Sequence, residues 1–212
     1  MSEIKVLSSA MQKNNEIAER NRALFRERGL KVLNFISSPG AGKTSILERL
    51  GARYSAALGV VTGDIQTTFD ADRLKAAGAT ALQIETGGTC HLTASMVEES
   101  LKKMDLSRLK YLVIENIGNL ICPSSYDLGE SAKVAVLSTT EGDEKPAKYP
   151  ALFTRATAVL INKVDLLPHV KFDVGRAEED CRKLNRDVRI IRISCTTGEG
   201  FEELFKYFES LS

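Results

Sequence analysis

A three-layer α/β fold, with a mostly parallel central sheet and helices on both faces, is what this sequence predicts, on three observations. Short apolar runs alternate with helical stretches along nearly the whole chain. A glycine-rich turn follows the first apolar run and opens a helix. At 212 residues the chain suits one ordinary α/β domain, able to bury a continuous core without disulfides or a structural metal.

Residues 7–28 carry apolar pairs seven apart (Ala10 and Met11, Ile17 and Ala18, Leu24 and Phe25) among charged residues, and Gly29 follows as a stop. The spacing predicts an amphipathic helix whose stripe packs on the chain's own domain. It divides the chain into an N-terminal helix, 1–30, and an α/β domain, 31–212. Strands are expected over Lys31 to Ser37, Leu58 to Thr62, Ala79 to Glu85, Tyr111 to Glu115, Val134 to Ser138, Val159 to Asn162 and Val188 to Ile193. Ligands of such a sheet bind beyond the carboxyl ends of its strands. Thr139 to Pro150, with its Glu-Gly-Asp-Glu-Lys-Pro core, reads as a loop near that face.

Charge nearly cancels, 29 Lys+Arg against 28 Asp+Glu, so the footprint of a nucleic-acid binder is missing. No apolar leader and no membrane-length apolar run occurs, which predicts a cytoplasmic protein with no membrane partner. Four cysteines (Cys90, Cys122, Cys181, Cys195) then read as thiols. Cys181, in a charged helical run, and Cys195 are expected to be structural, and His169 to sit in a surface loop.

Ser37-Ser-Pro-Gly-Ala-Gly-Lys-Thr44 lies between the first strand and a helix over Ser45 to Tyr54, the context a phosphate-binding loop requires. Ser38, Pro39, Gly40, Ala41, Gly42 and Ser45 would wrap the nucleotide, with Gly40 and Gly42 letting backbone N–H groups turn towards the phosphates. Lys43 supplies charge to the β/γ oxygens, and Thr44 a hydroxyl to Mg²⁺. The fold class is thus that of the P-loop NTPases. Ser37 stands where the common pattern has its first glycine. Asn162-Lys163-Val-Asp165 ends a later strand, and its Asp165 carboxylate would accept two hydrogen bonds from guanine, which adenine cannot offer. Ser194-Cys-Thr-Thr-Gly198 follows the last strand, where the Cys195 backbone N–H would meet the base. GTP is therefore favoured over ATP, against the alternative of a small-molecule kinase. Asp64 and Glu115, acidic residues at strand ends, are expected with Thr44 as the magnesium ligands. With no obvious glutamine to position water, intrinsic hydrolysis should be slow.

Gly87-Gly-Thr-Cys-His-Leu-Thr93 sets thiol and imidazole side by side ahead of a helix starting near Thr93, where a helix N-terminus would favour the thiolate. Cys122, in Glu115-Asn-Ile-Gly-Asn-Leu-Ile-Cys-Pro123, is the third donor. A two-fold dimer pooling both sets of Cys90, His91 and Cys122 would satisfy Zn²⁺ or Ni²⁺. A lone Cys-His pair is not a recognised metal spacing and free Cys is commonly a small core residue, so spacing alone leaves both readings open.

The blocks Ser-Ser-Pro-Gly-Ala-Gly-Lys-Thr44, Gly-Asp-Ile-Gln-Thr-Thr-Phe-Asp-Ala-Asp-Arg73, Thr-Cys-His-Leu-Thr-Ala94, Glu-Asn-Ile-Gly-Asn-Leu-Ile-Cys-Pro123, Glu-Gly-Asp-Glu-Lys-Pro146 and Asn-Lys-Val-Asp-Leu-Leu167 resemble, in order, those of the HypB family. The resemblance spans roughly residues 30–212. It implies a GTP-hydrolysing metallochaperone for nickel-iron hydrogenase, cycling between GTP and GDP with Mg²⁺. It also implies a GTP-dependent homodimer with a nickel or zinc site at its interface, and as partners a HypA-like zinc-binding nickel chaperone and the hydrogenase large subunit. Residues 1–30 lack the Cys-x-x-Cys-Gly-Cys motif and the His-rich tract of some members, so a nickel-storage role has no support. UreG, the urease accessory GTPase, is the nearest relative to confuse with it, but usually shows Cys-Pro-His where this chain reads Cys90-His91. A regulatory or docking GTPase with structural cysteines is the alternative from another class.

Overall fold

The computed structural model describes residues 2–64 and 69–211, with side chains over 9–63 and 70–211. Seven parallel strands form one sheet: β1 (Lys31–Ser37), β2 (Leu58–Asp64), β3 (Thr80–Glu85), β4 (Tyr111–Glu115), β5 (Ala132–Ser138), β6 (Ala158–Asn162) and β7 (Arg189–Arg192). Their order is β3-β2-β4-β1-β5-β6-β7, so the chain reverses direction beside β1 and opens a crevice at its carboxyl end. The helices are α1 (Ser2–Glu27), α2 (Lys43–Tyr54), α3 (Phe69–Ala76), α4 (Ala94–Leu101), α5 (Cys122–Ser125), α6 (Lys145–Lys148), α7 (Pro150–Phe153), α8 (Val174–Leu184) and α9 (Phe201–Ser210).

The strands are apolar on both faces because both are covered. In β4, Tyr111 and Val113 join the core under α2, α3 and α9, while Leu112 and Ile114 join the one under α1 and α4. In β6, Ala158 and Leu160 turn to the first core, Val159 and Ile161 to a third under α7 and α8.

Helix α1 packs on α4 and buries Asn14, Ile17, Ala18, Asn21 and Phe25. That face is one row of the expected stripe extended by two asparagines, whose polarity kept them out of an apolar count. One further expectation differs. Thr139 to Pro150 is not all loop: it holds α6, and Pro150 opens α7. These helices are four residues each, too short to show a period. His169 ends a 3₁₀ turn, Val164–His169, and is exposed. Among the described residues no helix is long and apolar enough to cross a membrane.

Candidate nucleotide and metal site

The loop between β1 and α2 turns through Gly40 and Gly42 at φ of 74° and 95°, a region that favours glycine. A Cβ on Gly42 would stand 2.5 Å from Asn162 Nδ2. The two loops are tied together there: Asn162 Nδ2 donates to Ala41 O at 2.9 Å and Lys163 Nζ to Gly40 O at 2.9 Å. Two residues expected at the base thus also brace the phosphate loop. Lys43 is buried, and its ammonium donates to Ser37 Oγ at 2.8 Å, so the serine that departs from the glycine pattern is the lysine's partner. Burial pulls the Lys43 pKa down, against the pull of Glu115, Asp70 and Glu141.

Thr44 Oγ1 donates to Glu115 Oε1 at 2.9 Å. Glu115 is 4% exposed, and its Oε2 finds no hydrogen-bond partner among the described residues. Burial pushes this carboxyl up, with Lys43 and Thr44 opposing. A half-buried hydroxyl beside a buried carboxylate with a spare oxygen suits a hard cation. The side chain of Asp64, the other expected ligand, lies outside the described residues. Asp165 Oδ1 is likewise buried without a partner, which suits a base that brings two donors. Its neighbouring loop is fixed: the Ser194 hydroxyl accepts from Thr196 N and Thr197 N at 3.2 and 3.1 Å. Arg49 of α2 donates to Cys195 O at 2.6 Å and to Thr196 O at 3.2 Å. Cys195 is half-buried, and its thiol is pushed up to about 11 by burial.

A cleft of about 570 Å³ runs from the P-loop to Glu115. It is also lined by Asp70, Arg73 and Asn116, to which sequence reasoning gave no role. The available signal was the Asp70 to Arg73 spacing, one helical turn at the start of α3. Arg73 is held by Glu48 at 2.9 and 2.7 Å and by Asp70 at 3.5 Å. Lys145 bonds the Ser38 hydroxyl of the P-loop and pairs with Glu141 at 2.6 Å. Lys148 lies at the surface, paired with Glu144.

Cys90 and His91 lie in the loop between β3 and α4, and Cys122 opens α5. One ligand atom from each lies within 4.8 Å of the others. The His91 ring sits 3.8 Å from that of Tyr126, centroid to centroid, at 32°. Burial lowers the His91 pKa and so favours the neutral imidazole, the form that can bind a metal. Cys90 differs from expectation: it precedes the Thr93 cap by three residues, and its hydrogen bond with Cys122 pushes its thiol up. Asn119 Nδ2 donates to Cys90 O at 3.3 Å. Cys181 is fully buried, its thiol pushed up to about 12 by burial. The nucleotide and metal segments meet at Asn116: its Oδ1 accepts from Leu92 N at 3.1 Å and Ile117 N at 3.0 Å, and its Nδ2 donates to Asn34 Oδ1 at 3.2 Å.

Residues 31–192 match the CobW/HypB/UreG nucleotide-binding domain. The hydrogenase maturation factor HypB of Escherichia coli (strain K12) is 46% identical over 209 residues, 98% of this chain and 72% of that protein. The crystal structure of HypB from Helicobacter pylori in complex with nickel superposes with a TM-score of 0.89 at 42% identity, covering 93% of this chain and 94% of that one. HypB from Archaeoglobus fulgidus gives 0.87 at 38% identity, covering 94% and 98%. With its seven-stranded parallel sheet and near full-length likeness to these proteins, the chain belongs to the HypB family of hydrogenase maturation factors.

Proposed function

We propose that this protein is a cytoplasmic, GTP-hydrolysing metallochaperone that carries nickel for assembly of nickel-iron hydrogenase. Residues 31–212 act as its G domain and α1 as an N-terminal helix seated on it. The observation that carries the reading is the convergence of Cys90, His91 and Cys122 beside a nucleotide cleft whose Glu115 begins the loop leading to Cys122. Two thiols and an imidazole are a soft donor set suited to Ni²⁺ or Zn²⁺. Three donors leave coordination positions for a second copy of the chain, so a homodimer would complete the site. Exposed Cys90 has no packing role, which disfavours the docking reading with structural cysteines.

On GTP, residues 38–45 would enclose the phosphates, Lys43 would leave Ser37 for the β/γ oxygens, and Asp165 with the Cys195 backbone N–H would hold guanine. Thr44, Glu115 and Asp64 would hold Mg²⁺, which supplies positive charge to the phosphates. Lys43 stabilises charge as the γ-phosphoryl bond breaks and water adds, yielding GDP and phosphate. Because Asn116 follows Glu115 and bonds the backbone of Leu92, beside His91, loss of the γ-phosphate would reach the metal segment through one side chain. A HypA-like nickel chaperone and the hydrogenase large subunit are the partners this cycle calls for.

The test is a nickel titration of the full chain with Mg²⁺ and either a non-hydrolysable GTP analogue or GDP, with mass in solution recorded alongside. A nickel-bearing dimer favoured by the GTP analogue is expected, and Cys122→Ala should abolish nickel uptake. A metal-free monomer in both states, or full function in Cys122→Ala, would favour the docking GTPase.

A further inference from the structure

Among the buried residues of helix α1 are two asparagines seven residues apart, and therefore on one face. Both are buried, Asn14 at 6% and Asn21 at 1% exposure. Asn14 Oδ1 accepts from Ala94 N at 2.9 Å while its Nδ2 donates to Asp127 O at 2.8 Å. Asn21 Nδ2 donates to Ala94 O at 2.9 Å and to Leu128 O at 3.1 Å. Each side chain thus bridges the same two segments. Ala94 ends the stretch that carries Cys90 and His91. Asp127 and Leu128 follow Tyr126, whose ring faces His91, and lie on the segment begun by Cys122. Arg22 Nη2 adds contacts to both carboxylate oxygens of Asp127, at 2.8 and 2.7 Å. The helix backbone also lies directly on this loop: a Cβ on Gly129, at φ of 93°, would stand 2.7 Å from Ala18 O.

We propose that Asn14 and Asn21 are positioning residues of the metal cluster. Helix α1 sets the spacing between the Cys90-His91 segment and the Cys122 segment, and the cluster keeps its geometry only while α1 is seated. The inference rests on the reading that this cluster takes nickel. Metal–donor bonds tolerate only about 0.2 Å of misplacement, so a loosened clasp costs affinity even with all three donors intact. Outer-shell residues of this kind typically change metal affinity about 10- to 100-fold.

The experiment is a chelator-competition titration with Ni²⁺ on the full chain, reading the thiolate-to-nickel absorption band, GDP affinity and the thermal midpoint. Wild type, Asn14→Ala and Asn21→Ala are compared with Leu204→Ala, a buried residue of the core on the opposite face of the sheet. Nickel affinity should fall about 10- to 100-fold in both asparagine variants, with an altered band and unchanged GDP affinity, and Leu204→Ala should lower only the thermal midpoint. Wild-type nickel binding in the asparagine variants, or an equal loss in Leu204→Ala at a matched midpoint, would overturn the proposal. Should either alanine variant fail to fold, Asn14→Asp decides, since it keeps the acceptor for Ala94 N and loses the donor to Asp127 O. A partial loss of nickel affinity is expected there, and wild-type affinity overturns the proposal. A wild-type chain that takes up no nickel overturns the cargo reading, and the inference with it.

Discussion

Asp165 is the residue at which sequence and geometry make the sharpest claim together. Its Oδ1 is buried without a partner among the described residues, while its neighbours are bonded: Asn162 and Lys163 to the P-loop, Ser194 to its own turn. A carboxylate kept bare in that setting costs stability until two donors arrive, and guanine brings two. Asp165→Asn replaces one acceptor by a donor. With about 1.5–3 kcal/mol for each charged hydrogen bond, GTP affinity should drop by about 100-fold or more, while a nucleotide of xanthine, which offers an oxygen at that edge, gains. Wild-type GTP affinity in the variant with no gain for the xanthine nucleotide, measured by titration, would remove Asp165 from base recognition. Ser37 teaches the reverse lesson. In the sequence it is a departure from a glycine; in the fold its hydroxyl receives Lys43, a contact that no motif spacing reveals.

At the scale of elements, the strands were legible because parallel strands covered on both faces leave near-continuous apolar runs; β1 and β4 span the ranges their runs predict. What was illegible depended on contacts between elements. The face of α1 includes Asn14 and Asn21, whose partners are backbone atoms more than seventy residues away, and the four-residue α6 has no period to read. The metal donors were legible as residue types, but only the fold sets Cys122 against Cys90. Helix α8 carries a testable consequence of its buried face. Cys181 sits there fully buried, and burial holds its thiol at about 12 against an ordinary value of 9.0. Above the ordinary value the unfolded chain releases a proton that the folded chain keeps, so folding stability must fall as pH rises from about 9 towards 12. Denaturant unfolding at stepped pH should record this slope, and Cys181→Ala should flatten it. An unaltered alkaline slope in the variant would mean that burial does not hold this thiol protonated.

Over the whole molecule, the nucleotide cleft and the Cys90, His91 and Cys122 cluster both lie beyond the carboxyl ends of the strands, close enough to affect each other. Glu115, at the end of β4, bonds Thr44 of the P-loop; Asn116, next in the chain, bonds the backbone of Leu92. A second arm runs from Asn116 to Asn34 Oδ1, and from Asn34 Nδ2 to Glu130 Oε1 at 3.2 Å. Glu130 Oε2 accepts from Leu128 N at 2.7 Å, on the segment that follows Cys122. Buried polar chains of this kind are rigid when every member is bonded, so a shift at Glu115 has few ways to dissipate before it reaches the segments that carry Cys90, His91 and Cys122. If GTP raises nickel affinity by some factor, linkage requires nickel to raise GTP affinity by the same factor. We expect that factor to be about 5-fold or more in the wild type and to fall towards one in Asn116→Ala, with each ligand still binding alone. Measuring nickel affinity with the GTP analogue and with GDP, and nucleotide affinity with and without nickel, closes the cycle. A factor retained in full by Asn116→Ala would mean that the coupling bypasses this side chain and travels along the backbone from Glu115 to Cys122.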